Sequence, residues 1–269
     1  MGGAQSGQLV ATAVVADQAP SEFHKGHEQH YSVPNEPETR RKRSSIMLAE
    51  SYCLSTEVIG RGAFGSVRVG TSRKSNKKFA VKTVKKAEFP PDAPGMRVEV
   101  DCLSLVSHPN ILQWIAAYED PVVGELHLVT PLYSGGNLKD RLDKLGSLPE
   151  AEAAPLAQKL LGALAHCHGR GLAHRDVKPS HVLFEEHTGE PKLIDFGLAR
   201  PLPPRPGFMT TLAGSLPYIS PNVLARKYTE KADLWSLGVL LYQALLGELP
   251  LGLGRDGGAG AWPEGGGGA

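Results

Sequence analysis

Two acidic loops joined by a short strand constrain this chain more than anything else in it. His174-Arg175-Asp176-Val177-Lys178-Pro179-Ser180-His181 places an acid, a cation and a further ligating side chain in one loop, and Asp195-Phe196-Gly197 follows 14 residues beyond His181. Between them Pro191-Lys192-Leu193-Ile194 reads as a strand, so a hairpin would return Asp195 toward Asp176. Carboxylates converging in this way suit one task well: holding magnesium and a hydroxyl around a triphosphate.

Composition narrows the alternatives. With 269 residues, 41% hydrophobic and 21% charged, the chain can form one two-lobed domain with tails, or two small domains. A formal net charge of +1 gives no electrostatic case for nucleic acid as a partner. Cys53, Cys102 and Cys167 form no C-x-x-C pair, and no apolar stretch is long enough to cross a bilayer. The expectation is a reduced, cytoplasmic protein.

A glycine-rich stretch points to the same ligand class. Residues 54–59, 66–71 and 79–84 read as three strands, with Gly60-Arg61-Gly62-Ala63-Phe64-Gly65-Ser66-Val67 between the first two. Glycines let backbone amides close over phosphates where side chains would block the approach. G-x-G-x-x-G also marks dinucleotide sites, but there a helix follows it. Here a strand follows, which excludes the dinucleotide fold.

H-R-D-x-K-P followed at this distance by D-F-G resembles the catalytic and metal loops of protein kinases. The resemblance runs from about Tyr52 to Pro250. Within it, Phe79-Ala80-Val81-Lys82 is similar to the kinase V-A-I-K strand, whose lysine holds the α- and β-phosphates. Residues 96–106 are apolar at helical spacing and carry Glu99, nine residues before His108-Pro109-Asn110, as the paired glutamate stands in many kinases. Asp101 is the other candidate partner, but it lies on a different helix face. His127-Leu128-Val129-Thr130-Pro131-Leu132-Tyr133 looks like the strand entering the interlobe hinge, with Thr130 guarding the pocket behind the nucleotide. Gly135-Gly136-Asn137-Leu138 opens the second lobe. Glu150–Gly169 reads as a long amphipathic helix with Leu156, Leu160, Leu161 and Leu164 as its core stripe. The stretch from Gly207 to Gly238 resembles the activation segment and D-x-W-S-x-G helix of the calcium/calmodulin-dependent and calcium-dependent protein kinases.

The resemblance implies an α+β, two-lobed fold. A β-rich N-lobe (49–132) with one regulatory helix would sit on a mainly helical, incomplete C-lobe (133–250), flanked by a disordered arm (1–48) and a glycine-rich tail (251–269). It implies an ATP- and magnesium-dependent serine/threonine kinase acting on a protein substrate. ATP would be held by Ile59, Gly60, Gly62, Gly65, Val67, Ala80, Lys82, Thr130 and Leu132. Asp176 would orient the acceptor hydroxyl and take its proton, and Lys178 would steady the γ-phosphate. Lys82 and Glu99 would form the phosphate-orienting ion pair, Asp195 would chelate magnesium, and Asp233 would brace the catalytic loop. Ser215 stands where a small hydroxyl residue meets that loop, and Arg175 could receive a phosphate on Thr210 or Thr211.

Four departures from the family pattern bear on activity. His181 occupies the place of the second magnesium ligand, normally Asn, and imidazole suits softer metals. Asn222 replaces the glutamate that ends the activation segment, and the tail after Pro250 cannot pack as the helices that would carry its arginine partner. Reduced activity, or a nucleotide-binding pseudokinase acting as a scaffold, are the two resulting expectations. Asn137 and Ser180 are neutral where members preferring basic substrates carry acids. No D-x-[DN]-x-[DN]-G-x₅-E loop occurs, so calcium-binding hands are not expected in this chain.

The arm carries its own signals. Met1-Gly2-Gly3-Ala4-Gln5-Ser6 matches the N-myristoylation pattern at Gly2, and Arg40-Arg41-Lys42-Arg43 adds a basic cluster. Together they predict weak, reversible attachment to the membrane periphery. His24, His27 and His30 read as a solvated polar tract, and Ser44 and Ser45 as phosphate acceptors.

Overall fold

The computed structural model describes residues 43–44, 48–62, 65–85, 95–120 and 122–250. The expectations for Gly2, for the histidines of the arm, for Arg40-Arg41-Lys42, for Ser45, for Ala63-Phe64 and for the tail after residue 250 lie outside the described residues.

The small lobe is a six-stranded sheet. Its strands are β1 (Arg43–Ser44), β2 (Tyr52–Gly62), β3 (Gly65–Ser72), β4 (Lys78–Lys85), β5 (Ala116–Asp120) and β6 (Glu125–Pro131), in spatial order β1-β5-β6-β4-β3-β2. All neighbours pair antiparallel except β1, which adds parallel to β5. Arg43 and Ser44 lie inside the stretch read as a disordered arm, and their pairing with Ala117 and Tyr118 departs from that reading.

The alternation of β4 explains how this sheet buries two faces. Val81 packs on one side with Val129, Tyr52, Tyr118 and Leu48 of the short helix α1 (Leu48–Ser51). There Tyr52 meets Phe79 and Tyr118 edge-on, with ring centroids 5.6 and 6.1 Å apart. Val84 points the other way, toward Val100 and Leu103 of helix α2 (Gly95–Leu105) and toward Phe196. A second core therefore ties sheet, α2 and the Asp195-Phe196-Gly197 turn together.

The large lobe is built on α3 (Leu138–Leu145), α4 (Glu150–Gly169), α5 (Pro221–Leu224) and α6 (Lys231–Leu246), with the short strands β7 (Leu172–Ala173), β8 (Val182–Phe184), β9 (Pro191–Leu193) and β10 (Arg200–Pro201). Leu138 and Leu142, Leu156, Leu160 and Leu164, Leu237 and Leu240, and the β8–β9 hairpin share one core. Leu161 was expected in the α4 stripe but is 45% exposed. At 100° per residue it lies one step round from Leu160, off the buried face. Helix α6 buries Leu237, Leu240 and Ala244 while Leu234, Trp235, Tyr242, Leu245 and Leu246 stay exposed. Among the described residues no helix is long and apolar enough to cross a membrane.

Candidate active site

Strand register assembles the upper wall. Gly60 of β2 pairs with Val67 of β3, Val67 with Lys82 of β4, and Ala80 with Thr130 of β6. Partners directly across a ladder share a face, and residues two apart on one strand do too, so all five lie on the same side of the sheet. Thr130 is buried, Leu132 just beyond β6 is half-buried, and Ile59 is exposed at the edge. Gly62 and Gly65 close the β2–β3 hairpin. Gly65 has a reason the motif does not supply: a Cβ there would lie 2.1 Å from the Thr83 carbonyl oxygen and 2.9 Å from Val84 Cγ2. The close approach of β4, as much as any phosphate, demands glycine.

Lys82 carries two acids at once. Its Nζ donates to Glu99 Oε2 at 2.7 Å and to Asp195 Oδ1 at 3.2 Å. Helix α2 supplies Glu99, almost fully buried, whereas Asp101 points to the exposed side. Burial pulls the Lys82 ammonium down, but Asp195 and Glu99 outweigh it and hold the group above its ordinary value. Burial likewise works against ionised Asp195, yet Lys82 and His181 keep its carboxyl well below the usual carboxylate range. Asp195 itself has left-handed backbone, φ 62°, and its side chain caps the following turn through Gly197 N–H.

The lower wall is the loop after β7. Asp176 Oδ2 accepts from Lys178 Nζ at 2.9 Å and Oδ1 accepts from Ser215 Oγ at 2.8 Å, while Lys178 Nζ also donates to Ser215 Oγ at 2.7 Å. His174 is fixed in one tautomer: its Nδ1 accepts from Asp176 N–H at 3.2 Å, so Nε2–H donates to the Ile194 carbonyl at 3.1 Å. The same ring packs edge-on against Phe196, with centroids 4.7 Å apart.

Asp233, at the start of α6, anchors this loop from below. Its Oδ2 accepts from His174 N–H at 2.9 Å and its Oδ1 from Arg175 N–H at 2.7 Å. His168 Nε2 donates to Oδ2 at 2.8 Å. Arg175 takes φ 68°, a conformation a non-glycine residue adopts only when its surroundings enforce it. Its guanidinium donates to the Leu198 carbonyl at 2.7 Å and to Tyr228 Oη at 2.9 Å. Tyr228 Oη donates in turn to the Thr211 carbonyl at 2.7 Å. Arg175 thus reaches the activation segment through Tyr228.

His181 sits on the 3-10 turn Pro179–His181, buried between both acids. Its Nδ1 is 2.9 Å from the Asp176 carbonyl oxygen and its Nε2 is 3.3 Å from Asp195 Oδ2. Burial lowers its basicity, against the raising effect of Asp195 and Asp176. Asp195 offers the hard oxygen that magnesium favours, whereas the His181 nitrogen does not fit it. Among the described residues no three His, Cys, Asp or Glu side chains gather into a metal cage of their own.

Lys82, Glu99 and Asp195 thus form one hydrogen-bonded group and Asp176, Lys178 and His181 another, and the two meet where His181 Nε2 comes within 3.3 Å of Asp195 Oδ2. Sequence reasoning missed His168, which no motif marks. It also missed what Asn137 does: its Oδ1 accepts from Asp140 N–H at 2.9 Å, capping α3. Asn222 is exposed on α5.

A β-sheet lobe and a helical lobe carrying these two acidic loops between them define a protein kinase domain. The sequence profile of that domain matches residues 54–258, and the chain belongs to the protein kinase family. Its curated relatives include Calcium-dependent protein kinase 10 of Oryza sativa subsp. japonica, 39% identical over 78% of this chain and 35% of the relative. Serine/threonine-protein kinase PEPKR2 of Arabidopsis thaliana is 42% identical over 71% of this chain and 39% of its own. Myosin light chain kinase A of Dictyostelium discoideum is 36% identical over 72% of this chain and 66% of its own. The chain thus spans between about a third and two thirds of the length of these relatives.

Proposed function

We propose that the chain is an ATP-dependent serine/threonine protein kinase, transferring the γ-phosphoryl group of ATP to a protein hydroxyl. The observation that carries this is the Asp176–Lys178–Ser215 triangle facing the Lys82–Glu99–Asp195 chain. Ser215 Oγ, bonded to Asp176 Oδ1, marks where a hydroxyl is held, and Asp176 would orient the acceptor hydroxyl there and take its proton. Lys178, already against Asp176, would steady the γ-phosphate, and Lys82 with Glu99 would hold the α- and β-phosphates. Gly60, Gly62 and Gly65 would bring backbone amides over them, and Ile59, Val67, Ala80, Thr130 and Leu132 would enclose the adenine. Asp195 would hold a magnesium ion, which when bound neutralises phosphate charge. The serine/threonine preference is supported by Lys178 and by the likeness to a serine/threonine-protein kinase of Arabidopsis thaliana. Weak peripheral membrane attachment through Gly2 and the basic run of the arm is part of the same proposal.

A second reading, a nucleotide-binding scaffold without transfer activity, is favoured by His181 in place of an oxygen ligand and by Asn222. One experiment separates them: magnesium-dependent phosphate transfer from ATP to a generic serine/threonine substrate, wild type beside Asp176→Asn. The kinase reading expects a fall of about 10²–10⁴ in the variant. Equal signal from both proteins defeats it.

A further inference from the structure

Charge is unevenly placed along this chain. Residues 58–87 carry nine Lys and Arg and no Asp or Glu, although the whole chain holds 29 of one sign against 28 of the other. The densest part, Arg73-Lys74-Ser75-Asn76-Lys77-Lys78, forms the turn between β3 and β4, and all six residues are exposed. Hydrogen bonds hold this turn in one shape. Ser72 N–H donates to the Lys77 carbonyl and Asn76 N–H to the Ser72 carbonyl, both at 2.9 Å. Asn76 takes the left-handed backbone that its short polar side chain tolerates, φ 55°. Arg73 is pinned to α1: its N–H donates to the Ser51 carbonyl at 2.9 Å and its Nε to the Ala49 carbonyl at 2.8 Å. Glu50 follows Ala49 and offsets Arg73, while Lys74, Lys77 and Lys78 make no ion pair among the described residues. Glu119, Asp120 and Glu125 gather instead at the β5–β6 turn, level with Lys85 at the far end of β4. One end of the small lobe is therefore a fixed cationic tip.

We propose that this tip docks on the headgroups of an anionic phospholipid membrane. The inference deepens the peripheral attachment proposed for the arm and rests on that reading only for the class of partner. Exposed lysines beside an anionic leaflet are attracted to it one by one, with no built pocket needed. Nucleic acid fits less well, because residues 71–78 include no aromatic side chain on which a base could stack. The contacts of Arg73 set the tip against α1, the helix at which the arm ends, so tip and arm can meet one surface together. Two weak attachments acting on one surface bind far better than either alone. Orientation follows from β3, which runs from Gly65 at the glycine turn to Ser72 at the tip. That span is roughly 23 Å by strand rise, more than two Debye lengths of about 8 Å. A docked tip thus keeps the glycine turn and the cleft off the lipid and open to solution.

The test sediments the full chain with vesicles of phosphatidylcholine mixed with phosphatidylserine, beside vesicles of phosphatidylcholine alone. Each lysine at the surface is worth about fivefold, so Lys74→Gln, Lys77→Gln and Lys78→Gln together should weaken binding to the mixed vesicles about a hundredfold. Removing three charges from the large lobe instead, with Lys139→Gln, Lys144→Gln and Lys231→Gln, should change it less than about threefold. All six side chains are exposed, so thermal unfolding should give both triple variants the midpoint of the wild type. Binding that survives the hairpin substitutions, or that falls equally with the large-lobe set, overturns the inference. So does a wild type that ignores the anionic vesicles, or one that prefers single-stranded RNA to them through the same three lysines. Gly2→Ala separates the tip from the arm. Vesicle binding by Gly2→Ala that still needs the three lysines upholds the inference whatever the arm contributes. Loss of all vesicle binding in Gly2→Ala leaves the arm as sole anchor and overturns it.

Discussion

Replacing Asp233 with alanine should destabilise the chain by about 3–5 kcal/mol, a large share of the ~5–15 kcal/mol that holds a typical domain. The carboxylate is buried and accepts three hydrogen bonds, from the backbone N–H groups of His174 and Arg175 and from His168 Nε2. Each buried donor left without a partner costs about 1–3 kcal/mol. Water entering the new space recovers part of the total, and relaxation of the left-handed Arg175 returns about 1–2 kcal/mol of backbone strain. Asp233→Asn keeps one acceptor oxygen but turns an amide NH₂ toward a donor, and should cost about half as much. Urea unfolding of the full chain, followed by the fluorescence of Trp235 and the other tryptophans, measures both. Hydrogen exchange at the His174 and Arg175 amides gives a local reading independent of global unfolding. Asp233→Ala within about 1 kcal/mol of wild type, with those two amides still protected, would refute the idea that this carboxylate holds the loop in shape.

Gly65→Ala should lower stability by about 1–3 kcal/mol even without nucleotide, because its Cβ would meet the Thr83 carbonyl of the neighbouring strand, and thermal unfolding of the apo chain checks it. A purely phosphate-directed glycine would show no apo effect. His127 offers a pH reading: burial depresses its basicity despite Glu125 and Asp120, so the unfolded chain binds the extra proton first. Its contribution is present above an unfolded value of about 6.5 and is lost as pH falls through the lower folded value. His108, depressed by burial and by His166, has the same sign. His127→Gln should therefore flatten the acid side of the stability curve below about pH 6.5, measured by urea unfolding.

Much of this arrangement could be read from local pattern. Strands β2 to β4 and helix α4 were legible because alternation and the 3.6-residue period are local properties, and α4 begins and ends where its pattern does. Glu99 was legible only as a choice against Asp101, which burial decides and spacing alone cannot. What stayed hidden depends on distant neighbours. The second role of Gly65 comes from a strand 18 residues later, and the bond of His168 to Asp233 spans 65 residues. The tether of Arg175 to the activation segment runs through Tyr228, a residue with no motif of its own. The β1 addition escaped because two residues carry no periodicity.

The ammonium of Lys82 already holds both Glu99 and Asp195, so this cleft meets an incoming ligand with its lysine engaged by one carboxylate more than it can neutralise. A polyanion arriving without a metal would have to compete with Asp195 for Lys82. One arriving with a metal offers Asp195 a replacement, releasing the lysine to the anion in an exchange of partners. The surplus carboxylate in the resting cleft would in this way make cation and polyanion each the condition for the other's entry.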